Sequence, residues 1–138
     1  MQVSEPFTLG HLMKAACPFC CIGAAKIWLA NEHAIAMHDG FPISEGHTLV
    51  VPKRHVQSLF DLSDEEQHAI WSLVAAVRTK LVEDLKPDGL NVGLNDGQAA
   101  GQTIKHAHVH VIPRFQGDVA DPRGGVRWII PAKAKYWR

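Results

Sequence analysis

The chain reads as an α+β domain on an antiparallel sheet. Three observations lead there. Short segments rich in β-branched and aliphatic residues follow one another closely, separated by turn residues. One long stretch carries apolar residues at three- and four-residue steps. The segment KHAHVHVIPR, residues 105–114, alternates histidine with aliphatic residues, and two is the period of a strand.

The segment AKIWLANEHAIAMHD reads as two strands turning around Asn31-Glu32, a hairpin. DGFPISEG, residues 39–46, is dense in turn residues, and HTLVVPK, residues 47–53, is a third strand closed by Pro52. Ser63 and Glu66 then form a capping box ahead of the long helix. Ile70, Leu73, Val74, Val77, Leu81 and Leu85 line one face of it, and it ends near Lys86, before Pro87-Asp88-Gly89. LNVGLN, residues 90–95, is a fourth strand, DGQAAGQT, residues 96–103, a small-residue loop, and the histidine segment the fifth strand. One domain over residues 1–138 is expected, with an N-terminal CxxC segment at 1–22 and an irregular tail at 115–138.

The 138 residues are enough for one real core, and the formal net charge is zero. No basic surplus argues for nucleic acid or an anionic membrane, and no apolar run is long enough to span a bilayer. The first residues carry no basic stretch followed by an apolar one, so neither a signal peptide nor a lipoprotein leader before Cys17 is expected. A cytoplasmic protein is the expectation.

On a strand, His106, His108 and His110 share a face, and Ala107, Val109 and Val111 share the opposite, core-facing one. On a helix, alternate residues fall about 200° apart and share nothing. Such an imidazole face has three readings: solvated histidines, a metal site, or a neutral imidazole nucleophile. The loop before it, NDGQAAGQT, offers backbone N–H groups freed by Gly97 and Gly101, and Asn95, Gln102 and Thr103 as side-chain donors. An anion cradled there would sit beside His108, which favours group transfer at phosphate.

Cys17 and Cys20, in CPFC, are half of a tetrahedral zinc site or a redox dithiol, or they are unliganded thiols. Zinc is preferred, because a redox CxxC normally opens a helix within a βαβ unit and none is visible here. His55 and His106 are among the candidates to complete the set, and spacing alone does not choose between the histidines.

The segments CPFC, HDGFP, EGHTLVVPKRHV and LNVGLNDGQAAGQTIKHAHVHVIPR together resemble the histidine triad family of nucleotide hydrolases and transferases. The resemblance covers nearly the whole chain. DGQAAGQTIKHAHVHVIPR is most similar to the fragile histidine triad branch, which hydrolyses dinucleoside polyphosphates, whereas the CxxC is of the bacterial type. It implies a five-stranded antiparallel sheet with one long and one short helix, dimerising into a ten-stranded sheet. It implies that His108 is the nucleophile, that His110 contacts phosphate near the leaving group, and that His47 supports the site. Asn95, Gly101, Gln102 and Thr103 fall at phosphate-contacting positions and Asp39 at a ribose-contacting one. Cys17, Cys20, His55 and His106 match structural zinc ligands, and no catalytic metal is required. Arg127 and Trp128, in a tail unlike either branch, are further candidate substrate contacts.

The function expected is a nucleotidyl hydrolase or transferase acting at the α-phosphate of a nucleotide conjugate, with an AMP or GMP moiety bound and a nucleotidyl-His108 intermediate. A nucleotide-binding regulatory module with incidental hydrolysis is the alternative, and a zinc-binding scaffold is a third class.

Overall fold

The computed structural model describes residues 17–138. The N-terminal segment before Cys17, with the expectations about a leader, lies outside the described residues.

Five strands form one antiparallel sheet: β1 (Leu29–Ala30), β2 (Ala34–His38), β3 (Thr48–Pro52), β4 (Gly89–Gly93) and β5 (Val109–Arg114), in the order β1-β2-β3-β5-β4. The β1–β2 hairpin turns where expected because Asn31 organises it. Its Oδ1 accepts the N–H groups of His33 and Ala34 at 3.1 and 2.9 Å, an Asx-type turn, and its Nδ2 donates to the Ala69 carbonyl of the helix at 2.8 Å.

The helix, α1 (Asp64–Leu85), starts with the expected capping box: the Ser63 hydroxyl accepts the Glu66 N–H, and the Glu66 carboxylate accepts the Ser63 N–H. Its Ile70, Leu73, Val74, Val77 and Leu81 are buried against Ala34, Ala36, Val50, Val109 and Val111 of the sheet, and Leu85 packs at the rim. It closes at Lys86, whose φ of 49° is left-handed. The following Pro87 disfavours right-handed helix at that residue, so the chain turns out there.

The opposite sheet face holds a second cluster, in which Phe19 covers Leu49 and Val51, with Ile35, Met37 and Ile104 at its edge. His110 pairs with Leu49 across β3–β5 and therefore shares this face. Both faces are thus covered. Gly46 is what lets the turn between β2 and β3 lie against the end of α1: its φ is +82°, and a Cβ there would come within 2.5 Å of Leu85 Cδ1.

The structure differs from the sequence reading in three places. The fifth strand starts at Val109, so His106 and His108 precede it. The β3–β5 ladder stops at Val50–Val109 because Pro52 has no N–H to give, and its carbonyl is bonded to the His106 ring instead at 2.8 Å. The alternation survives without the ladder, since the Ala107 N–H donates to the Val56 carbonyl at 2.8 Å and Ala107 is buried. The fourth strand ends at Gly93, which leaves Leu94 and Asn95 in the loop. The tail is not wholly irregular. Residues Gly125–Ile129 form a 3-10 turn and Pro131–Ala134 a short helix, α2, begun by a proline at its first position.

Candidate active site and metal-binding cluster

Three strand ends converge on one side of the sheet: the turn after β2 brings Asp39, the start of β3 brings His47, and the run into β5 brings His106, His108 and His110. His108 is 9 % exposed. Its Nδ1 lies 2.8 Å from the His106 carbonyl oxygen and donates to it, which in the neutral ring puts the lone pair on Nε2. The His110 ring stands beside it with centroids 5.1 Å apart, and the Phe19 ring flanks it at 5.2 Å.

His47 is 4 % exposed and bridges His110 to Asp39. Its Nδ1 accepts the Ile43 N–H at 3.3 Å, so its proton is on Nε2. That Nε2 is 2.9 Å from His110 Nδ1 and 3.4 Å from Asp39 Oδ2. His110 therefore accepts at Nδ1 and in its neutral form carries its own proton on Nε2. Burial pushes the pKa of both rings down. At His47 the Asp39 carboxylate opposes this, and at His110 the neighbouring His108 and His47 add to it. Burial thus favours the neutral form of both rings. The other Asp39 oxygen, Oδ1, accepts the Phe41 N–H at 2.8 Å.

The loop after β4 is shaped by Gly97 and Gly101, at φ of +93° and +95°, around a 3-10 turn at Gln98–Ala100. Gln102 does not offer its amide outward. It is buried, with Oε1 accepting the Gly97 N–H at 2.9 Å and Nε2 donating to the carbonyls of Gln57 at 2.8 Å and Ile104 at 3.0 Å. Its place is to hold the loop closed. Asn95 and Thr103 are exposed at the two ends of that loop. Asn95 lies two residues past Gly93, which pairs with His110.

The four proposed metal ligands come together. Cys17 Sγ is 3.4 Å from His106 Nδ1, and Cys20 Sγ is 3.1 Å from His55 Nδ1 and 3.6 Å from His106 Nδ1. The two Nδ1 atoms are 3.1 Å apart, and all four ligand atoms lie within 4.8 Å of one another. A tetrahedral zinc with Zn–S of about 2.3 Å and Zn–N of about 2.0 Å sets its ligand atoms roughly 3.3 to 3.8 Å apart, so the donor set fits the ion. His106 Nε2 donates to the Pro52 carbonyl at 2.8 Å, which turns its unprotonated Nδ1 toward the cluster. None of Cys17, Cys20 and Cys21 forms a disulfide. Next to His55 in the chain, the Arg54 guanidinium makes a forked pair with the Glu66 carboxylate at 3.0 and 2.9 Å. That pair draws the Glu66 carboxyl down to about 2.

Arg127 and Trp128 are engaged within the tail. Arg127 donates to the Ala134 and Lys133 carbonyls at 2.8 and 2.9 Å, and the Trp128 indole N–H donates to the Arg123 carbonyl at 2.8 Å. A cleft of about 610 Å³ lies along β4, lined by Asn91, Arg114, Phe115 and Asp118 among others, and no histidine borders it. The contributions that sequence reasoning missed are Phe19 and the backbone groups of Pro52, Ile43 and Gln57. Only Phe19 left a trace in the sequence, as the aromatic residue inside the CxxC.

A HIT domain family model matches residues 24–117. A HIT-like protein of Mycoplasma genitalium is 40% identical over 106 residues, 74% of this chain and 75% of its own length. The bis(5'-adenosyl)-triphosphatase of Dictyostelium discoideum is 35% identical over 97 residues, 70% of this chain and 65% of its own. The crystal structure of a zinc-bound histidine triad family protein from Mycobacterium smegmatis superposes with a TM-score of 0.69 at 34% identity, covering 78% of this chain and 81% of that one. The family match spans most of the described residues and includes His47, Asn95 and all three alternating histidines, so the chain belongs to the HIT, or histidine triad, family.

Proposed function

We propose that this protein is a nucleotidyl hydrolase or transferase that cleaves a dinucleoside polyphosphate or a nucleoside phosphoramidate at the α-phosphate, through a covalent nucleotidyl-His108. One observation carries the reading: His108 donates Nδ1–H to the His106 carbonyl, which in the neutral ring presents the Nε2 lone pair, with the His110 ring beside it. A phosphate ester anion repels anionic nucleophiles, and a neutral imidazole avoids that penalty.

In the first half-reaction Nε2 attacks the α-phosphorus, the N–P bond forms, and the bond to the leaving oxygen or nitrogen breaks. The ring becomes cationic, and its Nδ1–H stays bonded to the His106 carbonyl, which stabilises that charge as it develops. A nucleoside phosphate departs as its anion, whereas a departing amine takes up a proton from solvent, and His110, steered by His47, is proposed to offer an N–H to the departing group. In the second half-reaction water attacks phosphorus, the N–P bond breaks, a proton goes to solvent, and neutral His108 returns with free AMP or GMP. Asp39, Asn95, Gly101 and Thr103 are proposed to hold ribose and phosphate, and Gln102 to keep their loop in shape. The name of the Dictyostelium relative supports a dinucleoside polyphosphate substrate.

Cys17, Cys20, His55 and His106 are proposed to hold a structural zinc, as the distances fit and a zinc-bound relative shares the fold. Zinc there would brace the CxxC segment against the run into β5. We further propose a cytoplasmic homodimer. Among the described residues no helix is long and apolar enough to cross a membrane.

The test is kcat/KM on a panel of dinucleoside polyphosphates, nucleoside phosphoramidates and acyl adenylates, with His108→Ala beside the parent. Turnover of at least one class, lost in the variant, is expected. A parent that binds AMP but turns over none of them is a binding module.

A further inference from the structure

Phe19 is 7 % exposed, and it sits in the two-residue spacer between Cys17 and Cys20. Its ring meets two imidazoles with its edge: His106 with centroids 5.8 Å apart at 87°, and His108 at 5.2 Å and 66°. Residues 17–20 are a turn closed by the Cys20 N–H on the Cys17 carbonyl at 3.3 Å, themselves neither strand nor helix. Among the described residues it is held by the pair of sulfurs against His55 and His106 on one side, and by Leu49 and Val51 under the ring. His108, for its part, makes a single ring hydrogen bond among the described residues, to the His106 carbonyl. A single bond sets an axis and leaves the ring free to tip about it. Phe19 and His110 close the two sides.

We propose that Phe19 is a positioning residue for His108, and that the Cys17–Cys20 clip acts on the nucleophile through this ring. The inference rests on the reading of His108 as nucleophile. It gives the CxxC a task beyond bracing the fold: the clip sets the wall against which the attacking ring is aimed. Phe19 acts through His108 and takes no part in the bond changes. A wall lost should cost orientation, which shows in kcat, and leave binding of the nucleotide intact, which shows in KM.

The experiment replaces Phe19 in the full-length, zinc-loaded protein. Phe19→Leu keeps apolar bulk for the fold, and Phe19→Ala removes it. Zinc per chain, kcat and KM on the best adenylyl donor, and the ring-nitrogen resonances of His108 are measured in each. The resonances are assigned by their loss in His108→Ala and recorded at mildly alkaline pH. Expected are zinc content equal to the parent's, KM within about threefold, and kcat lowered about 10- to 100-fold in Phe19→Ala and less in Phe19→Leu. The two His108 nitrogens, unequal in the parent because Nδ1 holds the proton, should draw together as the tautomers average. Unchanged resonances with unchanged kcat in Phe19→Leu and Phe19→Ala would overturn the proposal, and so would a rate loss that merely follows zinc loss. If the parent turns over no donor, the proposed function fails while the His108 resonances still decide the positioning role.

Discussion

The Nδ1 of His108 is 2.8 Å from the carbonyl oxygen of His106, while the ring of His106 turns the other way, its Nδ1 toward Cys17, Cys20 and His55. One residue thus serves two centres, with its backbone orienting the proposed nucleophile and its side chain closing the proposed metal set. The two roles separate under mutation. In His106→Ala the carbonyl stays and a ligand goes. Zinc per chain should fall well below one, with a lowered melting temperature, and any residual activity should retain the His108-dependent label. Metal analysis without chelator and a thermal melt check this. A variant that keeps one tightly held zinc would remove His106 from the ligand set.

Gln102 should matter more for the loop than for phosphate contact. Gln102→Ala strips partners from the Gly97 N–H and from the Gln57 and Ile104 carbonyls. Leaving buried polar groups unpaired costs about 1–3 kcal/mol each where water does not reach them, so a total of a few kcal/mol is the upper range. The expected result is a lower denaturation midpoint together with weaker AMP binding by calorimetry. Weaker binding at wild-type stability would instead make Gln102 a direct contact.

Acid should destabilise the fold through His47 and His110. Burial holds both folded-state pKa values below the ordinary 6.5, so the unfolded chain binds more protons just beneath that pH. The associated stability is complete above about 6.5 and is lost as pH falls toward the folded values. Melting temperatures of the parent should therefore drop between pH 7.5 and 5, and His47→Gln should show a shallower drop. Equal slopes in the two proteins would contradict this assignment.

A homodimer formed by pairing sheet edges is expected from the family resemblance. β1 and β4 are the edges, and β4 is the longer, with Val92 39 % exposed. Light scattering at micromolar concentration should give twice the chain mass of 15.2 kDa. A monomer mass would remove the ten-stranded sheet from the account.

Local patterns were legible in the sequence, and long-range backbone contacts were not. The capping box of Ser63 and Glu66, the apolar stripe from Ile70 to Leu81 and the Asn31 turn each depend on residues within a few positions of one another, and each formed where expected. The beginning of β5 was misplaced because it depends on Pro52, fifty-four positions from His106, whose carbonyl leaves the ladder for an imidazole. The role of Gln102 was hidden for the same reason, since its amide reaches the Gln57 carbonyl across forty-five positions. From spacing alone the ligand cluster was legible as residue types and not as a set, and it was the family resemblance that named Cys17, Cys20, His55 and His106 together. Spacing offered several histidines, and only the approach of the segment after β3 to the segment before β5 brings His55 and His106 together.

The central claim is the covalent step. The protein is incubated with an adenylyl donor labelled at the α-phosphate, quenched, and the label located by mass spectrometry of peptides. AMP should be found on His108 and nowhere else, in a linkage that is labile to acid and stable to base, as phosphorus on an imidazole nitrogen is. His108→Ala should lose the label and lower kcat/KM by about 10³-fold or more, whereas His110→Ala should retain the attacking atom and lose less. A His108→Ala protein with the parent's kcat/KM on every donor the parent cleaves would contradict the account, and the imidazoles would then serve binding or metal alone.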